Sequence, residues 1–187
     1  MRRIGRAFWL GIAGSLIIAV LTACGGGGGG GGGPTAPPPP PMGIVYTGAT
    51  GGGAGFTLTQ ASVTATTLTL DLQANGVTDL YGVALDLQFP SQLFNFVSAT
   101  EQPFLGQSGA VATTLQATEA SPGVLVVGFS RLGQVAGVSG TGALVRIQFQ
   151  AIASGSGGFA YADNQAFSPN DTLGGLSWQG GSVQVNL

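Results

Sequence analysis

The side chains that catalyse most hydrolytic and transfer reactions are scarce in this chain. It contains no histidine and a single cysteine, Cys24, so neither a Ser-His-Asp nor a Cys-His arrangement can form. Glu101 and Glu119 are carboxylates of the kind that glycoside hydrolysis uses in pairs, but two glutamates in a domain of this size are expected by chance. We therefore predict that the protein is not an enzyme.

Cys24 follows a segment typical of export. Three arginines in the first six residues precede an apolar run over residues 8–20, and small residues stand just before Cys24. The run is shorter than the roughly 20 residues that span a bilayer, which argues against the alternative of an uncleaved membrane helix. The stretch Leu21-Thr22-Ala23-Cys24 resembles the lipobox of bacterial lipoproteins. This resemblance implies a signal peptide over residues 1–23 and a diacylglycerol on the sulfur of Cys24.

The expected location is the cell envelope. In lipoproteins an Asp after the lipidated cysteine favours retention at the inner membrane, whereas this chain has Gly25, so the resemblance implies the outer membrane. Residues 24–42 contain nine consecutive glycines and then five consecutive prolines, a composition typical of linkers that bury no core. Residues 43–187 remain as one folded domain.

The charge of this domain excludes some partners. Two arginines oppose seven acidic residues after Cys24, and the chain has no lysine. A surface of this kind cannot neutralise a row of phosphates, so we expect no nucleic-acid binding.

Oxygen-bearing side chains are concentrated near the end of the domain. Asp163, Asn164, Asn170 and Asp171 are hard ligands that suit calcium, although their spacing is not that of an EF-hand loop. The alternative is a pair of turns in which Asp and Asn side chains accept hydrogen bonds from nearby backbone. No other cofactor is indicated.

Three aromatic residues are candidates for stacking on a sugar ring. They are Trp178, Tyr81 and Tyr161. The alternative is that Trp178 closes one end of the folded domain and that both tyrosines lie in or near its core.

The elements that position these residues are strands, because apolar residues alternate with polar ones. Leu68, Leu70 and Leu72 alternate with polar residues, and residues 81–89 put five apolar side chains on one face. Residues 124–129 are apolar on both faces, as in a central strand, and the last residues, 183–187, alternate again. The pattern predicts an all-β antiparallel sandwich.

The order of these strands resembles that of the cohesin family, whose modules are nine-stranded β-sandwiches with jelly-roll topology. The matching stretches are residues 79–90 (DLYGVALDLQFP), 93–97 (LFNFV), 126–131 (VVGFSR), 137–149 (GVSGTGALVRIQF) and 181–185 (GSVQV). Cohesins bind dockerins, small calcium-loaded helical domains of polysaccharide-degrading enzymes. The resemblance implies a similar partner at the outer face of the strand over residues 80–89, where alternation places Gly82, Ala84, Asp86 and Gln88.

Three functions are compatible with the sequence. The first is a lipid-anchored module that binds a dockerin or another protein. The second is a lipoprotein that binds polysaccharide through exposed aromatic rings. The third is a structural envelope protein that associates with itself through an open sheet edge.

Overall fold

The computed structural model describes residues 42–107 and 111–187, and in this part the regular structure consists of strands alone. Cys24, the predicted signal peptide and the linker up to residue 41 lie outside the described residues. Among the residues that are described, no helix is long and apolar enough to cross a membrane.

The described part of the chain forms twelve strands. In chain order they are β1 (Gly43–Gly48), β2 (Gly55–Val63), β3 (Thr67–Leu80), β4 (Gly82–Gln88), β5 (Phe94–Glu101), β6 (Thr113–Ser121), β7 (Val124–Arg131), β8 (Val138–Ala151), β9 (Gly155–Phe167), β10 (Thr172–Leu173), β11 (Ser177–Gln179) and β12 (Gly181–Asn186).

These strands form two sheets that pack face to face. The first has the order β1-β12-β9-β4-β7-β6, with β10 paired to β9, and the second has the order β11-β2-β3-β8-β5. Every pairing is antiparallel except that of β11 with β2. The predicted all-β sandwich is confirmed. The described residues contain more strands than the nine predicted, partly because β10 and β11 are only two and three residues long, too short for an alternation pattern.

Alternation in the sequence corresponds to burial in the structure. The three leucines at positions 68, 70 and 72 of β3 are buried, as are Val145, Ile147 and Phe149 on the adjacent strand β8. Phe149 lies at the centre of the core, with its ring centroid 5.1 Å from that of Phe89 and 5.3 Å from that of Phe159. The interior is therefore filled by side chains that both sheets contribute.

Two apolar residues are more exposed than the sequence pattern predicts. The stretch over residues 124–129 was expected to be buried on both faces, but Val126 is 41% exposed. Its side chain belongs to the outer face of the first sheet, on which no described element packs. Leu187, expected to continue the buried alternation of the last strand, is 45% exposed because β12 ends at Asn186.

A bidentate ion pair crosses the outer face of the second sheet. Arg146 on β8 donates from Nε and Nη2 to the two carboxylate oxygens of Asp71 on β3, each over 2.8 Å. The hydrogen bonds and the charge of Asp71 raise the pKa of Arg146. Because the two residues are direct partners in the β3–β8 pairing, the ion pair supports the register of these strands.

Aromatic side chains close the sandwich near β11. Trp178 stacks on the buried ring of Phe56, with centroids 4.1 Å apart, and meets Tyr161 edge to face at 5.4 Å. The hydroxyl of Tyr161 is buried and has no hydrogen-bond partner among the described residues. Tyr46, by contrast, donates its hydroxyl hydrogen to the carbonyl of Leu58 over 3.1 Å.

Truncation of Phe149 tests the central position of its ring. Replacing Phe149 with alanine leaves a cavity among several aromatic rings and is expected to lower the free energy of unfolding by about 3–5 kcal/mol. Urea denaturation measures this loss. The control is Gln148→Ala on the polar face of the same strand, which is expected to change stability by less than about 0.5 kcal/mol. Similar losses in both variants would contradict the prediction.

The buried tyrosines predict a loss of stability in alkali. Burial raises the pKa of Tyr46 to about 12, and burial together with the nearby Tyr46 raises that of Tyr161 well above its usual value. A raised folded-state pKa of a phenol gives stability that is fully present below about pH 10 and is lost as the pH rises towards the folded-state value. Unfolding free energies should therefore fall above pH 10, and less steeply in Tyr161→Phe than in the wild type.

At pH 8 the two tyrosine variants should differ. Tyr161→Phe removes an unpaired buried hydroxyl and is expected to be neutral or stabilising, whereas Tyr46→Phe removes a hydrogen bond and is expected to lose about 1 kcal/mol. Equal destabilisation in the two variants, measured by urea unfolding, would contradict the assigned environments.

Candidate functional site

Strand β4 lies in the middle of the first sheet, between β7 and β9. Val83, Leu85 and Leu87 are buried against the second sheet, so the alternate residues face outward. These outward residues are the binding face that was predicted from the sequence: Gly82, Ala84, Asp86 and Gln88. Gln88 is exposed, Ala84 and Asp86 are half-buried, and Gly82 is buried because the neighbouring strands close over it.

The neighbouring strands extend this surface. The register places further outward residues beside those of β4, and we call the whole set the docking face. It consists of Gly82, Ala84, Asp86 and Gln88 on β4, Val124, Val126, Gly128 and Ser130 on β7, Thr114, Gln116 and Thr118 on β6, and Ala160, Ala162, Gln165 and Phe167 on β9. Most of these side chains are small and uncharged, so the surface has little relief.

One groove of about 360 Å³ interrupts the docking face. It lies where Gly82 on β4 meets Ser130 on β7, and Gly128 forms part of its lining. A Cβ atom on Gly128 would have no atom within 4 Å, whereas one on Gly82 would lie 2.8 Å from the Cβ of Ser130. Gly128 therefore leaves open space at the surface, while Gly82 allows two strands to approach closely. The rim is formed by Tyr81, Thr114, Gln116 and Phe167.

The charge of the docking face is negative. Asp86 lies on it, and the exposed Asp163 lies in a bulge of β9 opposite Leu85, beside Asp86. Neither arginine of the domain contributes to this surface. Arg131 is buried and donates to the carbonyl of Leu105 over 2.7 Å, and Arg146 lies on the other sheet. A ligand of this face therefore meets carboxylates without competing cations.

The four predicted calcium ligands lie in two places. Asp163 and Asn164 belong to the bulge of β9, whereas Asn170 and Asp171 belong to the turn between β9 and β10. Phe167, where that turn begins, is four positions after Asp163 along the strand, which corresponds to roughly 13 Å. The structure therefore does not bring the four side chains into one cluster.

The turn before β10 is held by its own hydrogen bonds. The Ser168 hydroxyl oxygen accepts from the backbone N–H of Asp171 over 3.0 Å, and Asp171 Oδ1 accepts from the N–H of Thr172 over 2.7 Å. Asp171 therefore accepts a backbone hydrogen bond, as the alternative interpretation expects of the four side chains, while the other bond is accepted by Ser168. Across residues 42–107 and 111–187, no group of three or more His, Cys, Asp or Glu side chains is arranged to hold a metal ion.

Two of the three stacking candidates lie together, and the third, Tyr81, lies elsewhere. Trp178 and Tyr161 contact each other and the core, and Phe56 stacks on one face of the Trp178 ring. Tyr81 lies at the rim of the groove, with its ring half-buried. The structure therefore does not arrange the three rings in a line.

The groove residues on β6, β7 and β9 were not among the binding residues predicted from the sequence. One signal was present: a glycine inside an apolar strand, here Gly128, often marks a close approach of backbone or ligand. The contributions of Thr114, Gln116 and Phe167 depend on strand pairing over long separations, which a single sequence does not show.

Comparisons with known proteins bear on the fold. No family model matches the chain, and no curated protein sequence matches it. Solved structures do match. A type II cohesin domain from the cellulosome of Acetivibrio cellulolyticus has a TM-score of 0.58 and 14% identity over 72% of this chain and 95% of that one.

Two further structures agree. The cohesin module of a family 33 glycoside hydrolase from Clostridium perfringens has a TM-score of 0.56 and 13% identity over 71% of this chain and 96% of that one. A type I cohesin–dockerin complex from Clostridium thermocellum has a TM-score of 0.54 and 10% identity over 65% of this chain and 85% of that one. The domain therefore has the cohesin-like sandwich fold that the sequence resemblance implied.

Proposed function

We propose that residues 43–187 form a non-catalytic module that binds a protein partner on the docking face. The observation that carries this proposal is the groove at Gly128, which opens on a broad, weakly polar sheet surface. Depletion of charge around an apolar centre is typical of the core of a protein interface.

The apolar part of the interface has two components. Val126 is 41% exposed in the middle of the docking face, flanked by Asp86 on β4 and Thr118 on β6. The groove adds a concave site beside it, with the ring of Phe167 and the open space above Gly128. An aliphatic or aromatic side chain of the partner would fill the groove and cover Val126, which gives a central anchor of the kind that dominates binding energies.

The polar part of the interface favours a partner with a positive charge. The register puts Ala84 opposite Gly128, and Asp86 is the next outward residue of β4, so the carboxylate lies roughly 7 Å from the groove. A helix places side chains three or four residues apart at a similar separation. The expected partner therefore presents a helix with an apolar anchor and a lysine or arginine one turn away.

A dockerin-like domain fits this description. Dockerins are small calcium-loaded helical domains, and the matching Clostridium thermocellum structure is a cohesin–dockerin complex. The similarity of fold supports this class of partner, and the docking face supports the mode of contact. In this proposal the calcium ions are bound by the partner and not by residues 43–187.

The amino-terminal sequence supports display at the cell envelope. Cleavage before Cys24 and acylation of its sulfur would tether the chain, and the linker over residues 24–42 would hold the binding domain away from the lipid surface. Both steps rest on the sequence alone.

Lipidation is tested with Cys24→Ser. The wild-type chain, expressed in a didermal bacterium, is expected to incorporate labelled palmitate and to fractionate with membranes. The variant should lose the label, because serine cannot form the thioether. A wild-type chain without label would contradict the anchor and leave the docking proposal intact.

The docking face is tested with Gly128→Tyr. The new side chain fills the groove, and open space around the Cβ position indicates that the fold tolerates it. The full chain, immobilised in detergent, is incubated with the host proteome in calcium and in EDTA, and bound proteins are identified by mass spectrometry. A partner retained by the wild type in calcium should bind at least about tenfold more weakly to Gly128→Tyr, a loss typical of a blocked anchor site.

The matched control is Gly158→Tyr. Gly158 is an exposed glycine of β9 that pairs with β12, beyond the far end of the docking face from the groove. A Cβ atom there meets only an ordinary contact of 3.5 Å. Retention by Gly158→Tyr and loss by Gly128→Tyr supports the proposal. Equal retention by both, or no specific partner with the wild type, contradicts it.

A further inference from the structure

A second concave site lies beside the docking face. Its volume is about 690 Å³, within the range of small-molecule sites. It is enclosed by the loop over residues 133–136, which follows β7, by the turn before β10 and by Asp79 near the end of β3. Tyr81 lines both this pocket and the groove of the docking face, so the two cavities have this residue in common.

The carboxylate in this pocket is held in place. Asp79 has a φ of +55°, which is uncommon for a residue with a side chain. Its backbone N–H donates to the Ser139 hydroxyl oxygen over 3.0 Å, and its Oδ1 accepts from the N–H of Gly137 over 2.9 Å. A Cβ atom on Gly137 would lie 2.2 Å from the Asp79 carbonyl oxygen. Among the described residues Oδ2 has no partner, so one oxygen of a fixed carboxylate is available.

The aromatic wall is also fixed. Tyr81 donates its hydroxyl hydrogen to the carbonyl of Gly133 over 2.8 Å. Its backbone N–H donates to the carbonyl of Phe167, and its own carbonyl accepts from the N–H of Arg131. The backbone of Tyr81 is therefore tied to the ends of β7 and β9, and its ring is tied through the hydroxyl to the pocket loop, so the ring does not have to be ordered when a ligand binds.

The remaining polar groups are neutral amides. Gln134 and Asn170 line the pocket, and both residues are exposed. Their side chains are not used in the hydrogen bonds that hold the turn, in which Asn170 takes part through its backbone N–H. Each offers an NH₂ donor and a carbonyl acceptor.

The charge of the lining excludes anions. Asp79 is the charged residue of the lining, and no arginine is part of it. A phosphate, sulfate or carboxylate would face this carboxylate without a cation. A neutral ring with several hydroxyls fits, since its hydroxyls donate to a carboxylate and accept from amides while its C–H face packs on an aromatic ring. We propose that the pocket binds a neutral pyranose unit of a glycan, with Asp79, Gln134, Asn170 and Tyr81 as its contacts.

Glycan binding in this pocket would be a function distinct from protein docking, at a place different from the ring of Trp178. The probes are cellotetraose, mannotetraose and, as an anionic control, tetragalacturonate, titrated into the full chain in EDTA. Saturation-transfer NMR reports binding. The expected result is saturable transfer to at least one neutral oligosaccharide and none to tetragalacturonate.

The assignment to this pocket is tested with a double variant, Gln134→Ala/Asn170→Ala. Both side chains are exposed and outside the internal hydrogen bonds, so the variant is expected to fold. It should bind the neutral oligosaccharide about tenfold more weakly. Asp79→Asn keeps a residue that tolerates positive φ and is expected to weaken binding as well. The matched control is Asn95→Ala/Gln148→Ala on the outer face of the other sheet, which should bind as the wild type does.

The outcomes separate this proposal from protein docking. No binding of any neutral probe, equal binding of the anionic probe, binding only in calcium, or unchanged binding in the double variant would each overturn it. The double variant should still capture the protein partner, because its two positions lie outside the docking face. Loss of sugar binding with retained partner binding supports two separate sites.

Discussion

The burial of one face of β4 constrains both the fold and the candidate binding surface. Val83, Leu85 and Leu87 are held against the second sheet, and a shift of register by one residue would expose all three to water. At about 25 cal/mol per Å² of apolar surface, that exposure would cost several kcal/mol. The composition of the outward face is therefore free to vary, while its position is fixed by the core.

Two positions of the outward face, 82 and 128, are occupied by glycine and so carry no side chain. Gly82 cannot be larger, because a Cβ atom would meet both Ser130 and the carbonyl of Phe129 at 3.0 Å or less. Gly128 meets no such limit, and a glycine within a strand lowers stability relative to a residue with a side chain. Close packing explains the glycine at position 82 but not the one at position 128. The proposed role of the groove in binding would explain Gly128. In the proposed binding mode, the open space at Gly128 would serve as the anchor site of the surface.

Features that repeat locally could be predicted from the sequence. The burial of Leu68, Leu70 and Leu72 follows from alternation, and so does the outward direction of Ala84, Asp86 and Gln88. Features that depend on contacts between residues far apart in the sequence could not be predicted in this way. Val126 is exposed because none of the described elements covers the outer face of its sheet, which the apolar run of β7 does not indicate.

The same limit applies to the candidate ligands. Asp163 and Asn170 are seven residues apart in the sequence, but a bulge and a hairpin put them in separate surroundings. Trp178 packs on Phe56, more than a hundred residues away. Asp79 and Gly137, which donates to its carboxylate, are 58 residues apart, so the fixed carboxylate of the pocket becomes visible only once β3 and β8 are paired.

The two candidate sites share one wall, and this arrangement has a physical consequence. Tyr81 is held by hydrogen bonds from its hydroxyl and from both backbone groups, so neither ligand has to move it. Coupling between two sites requires an element whose equilibrium both ligands bias, and a ring fixed in this way is not such an element. A protein partner with a basic helix would also bring its cation to Asp86, on the side of Tyr81 away from Asp79. The structure therefore favours independent occupation, in which the module would hold a protein and a neutral glycan at the same time.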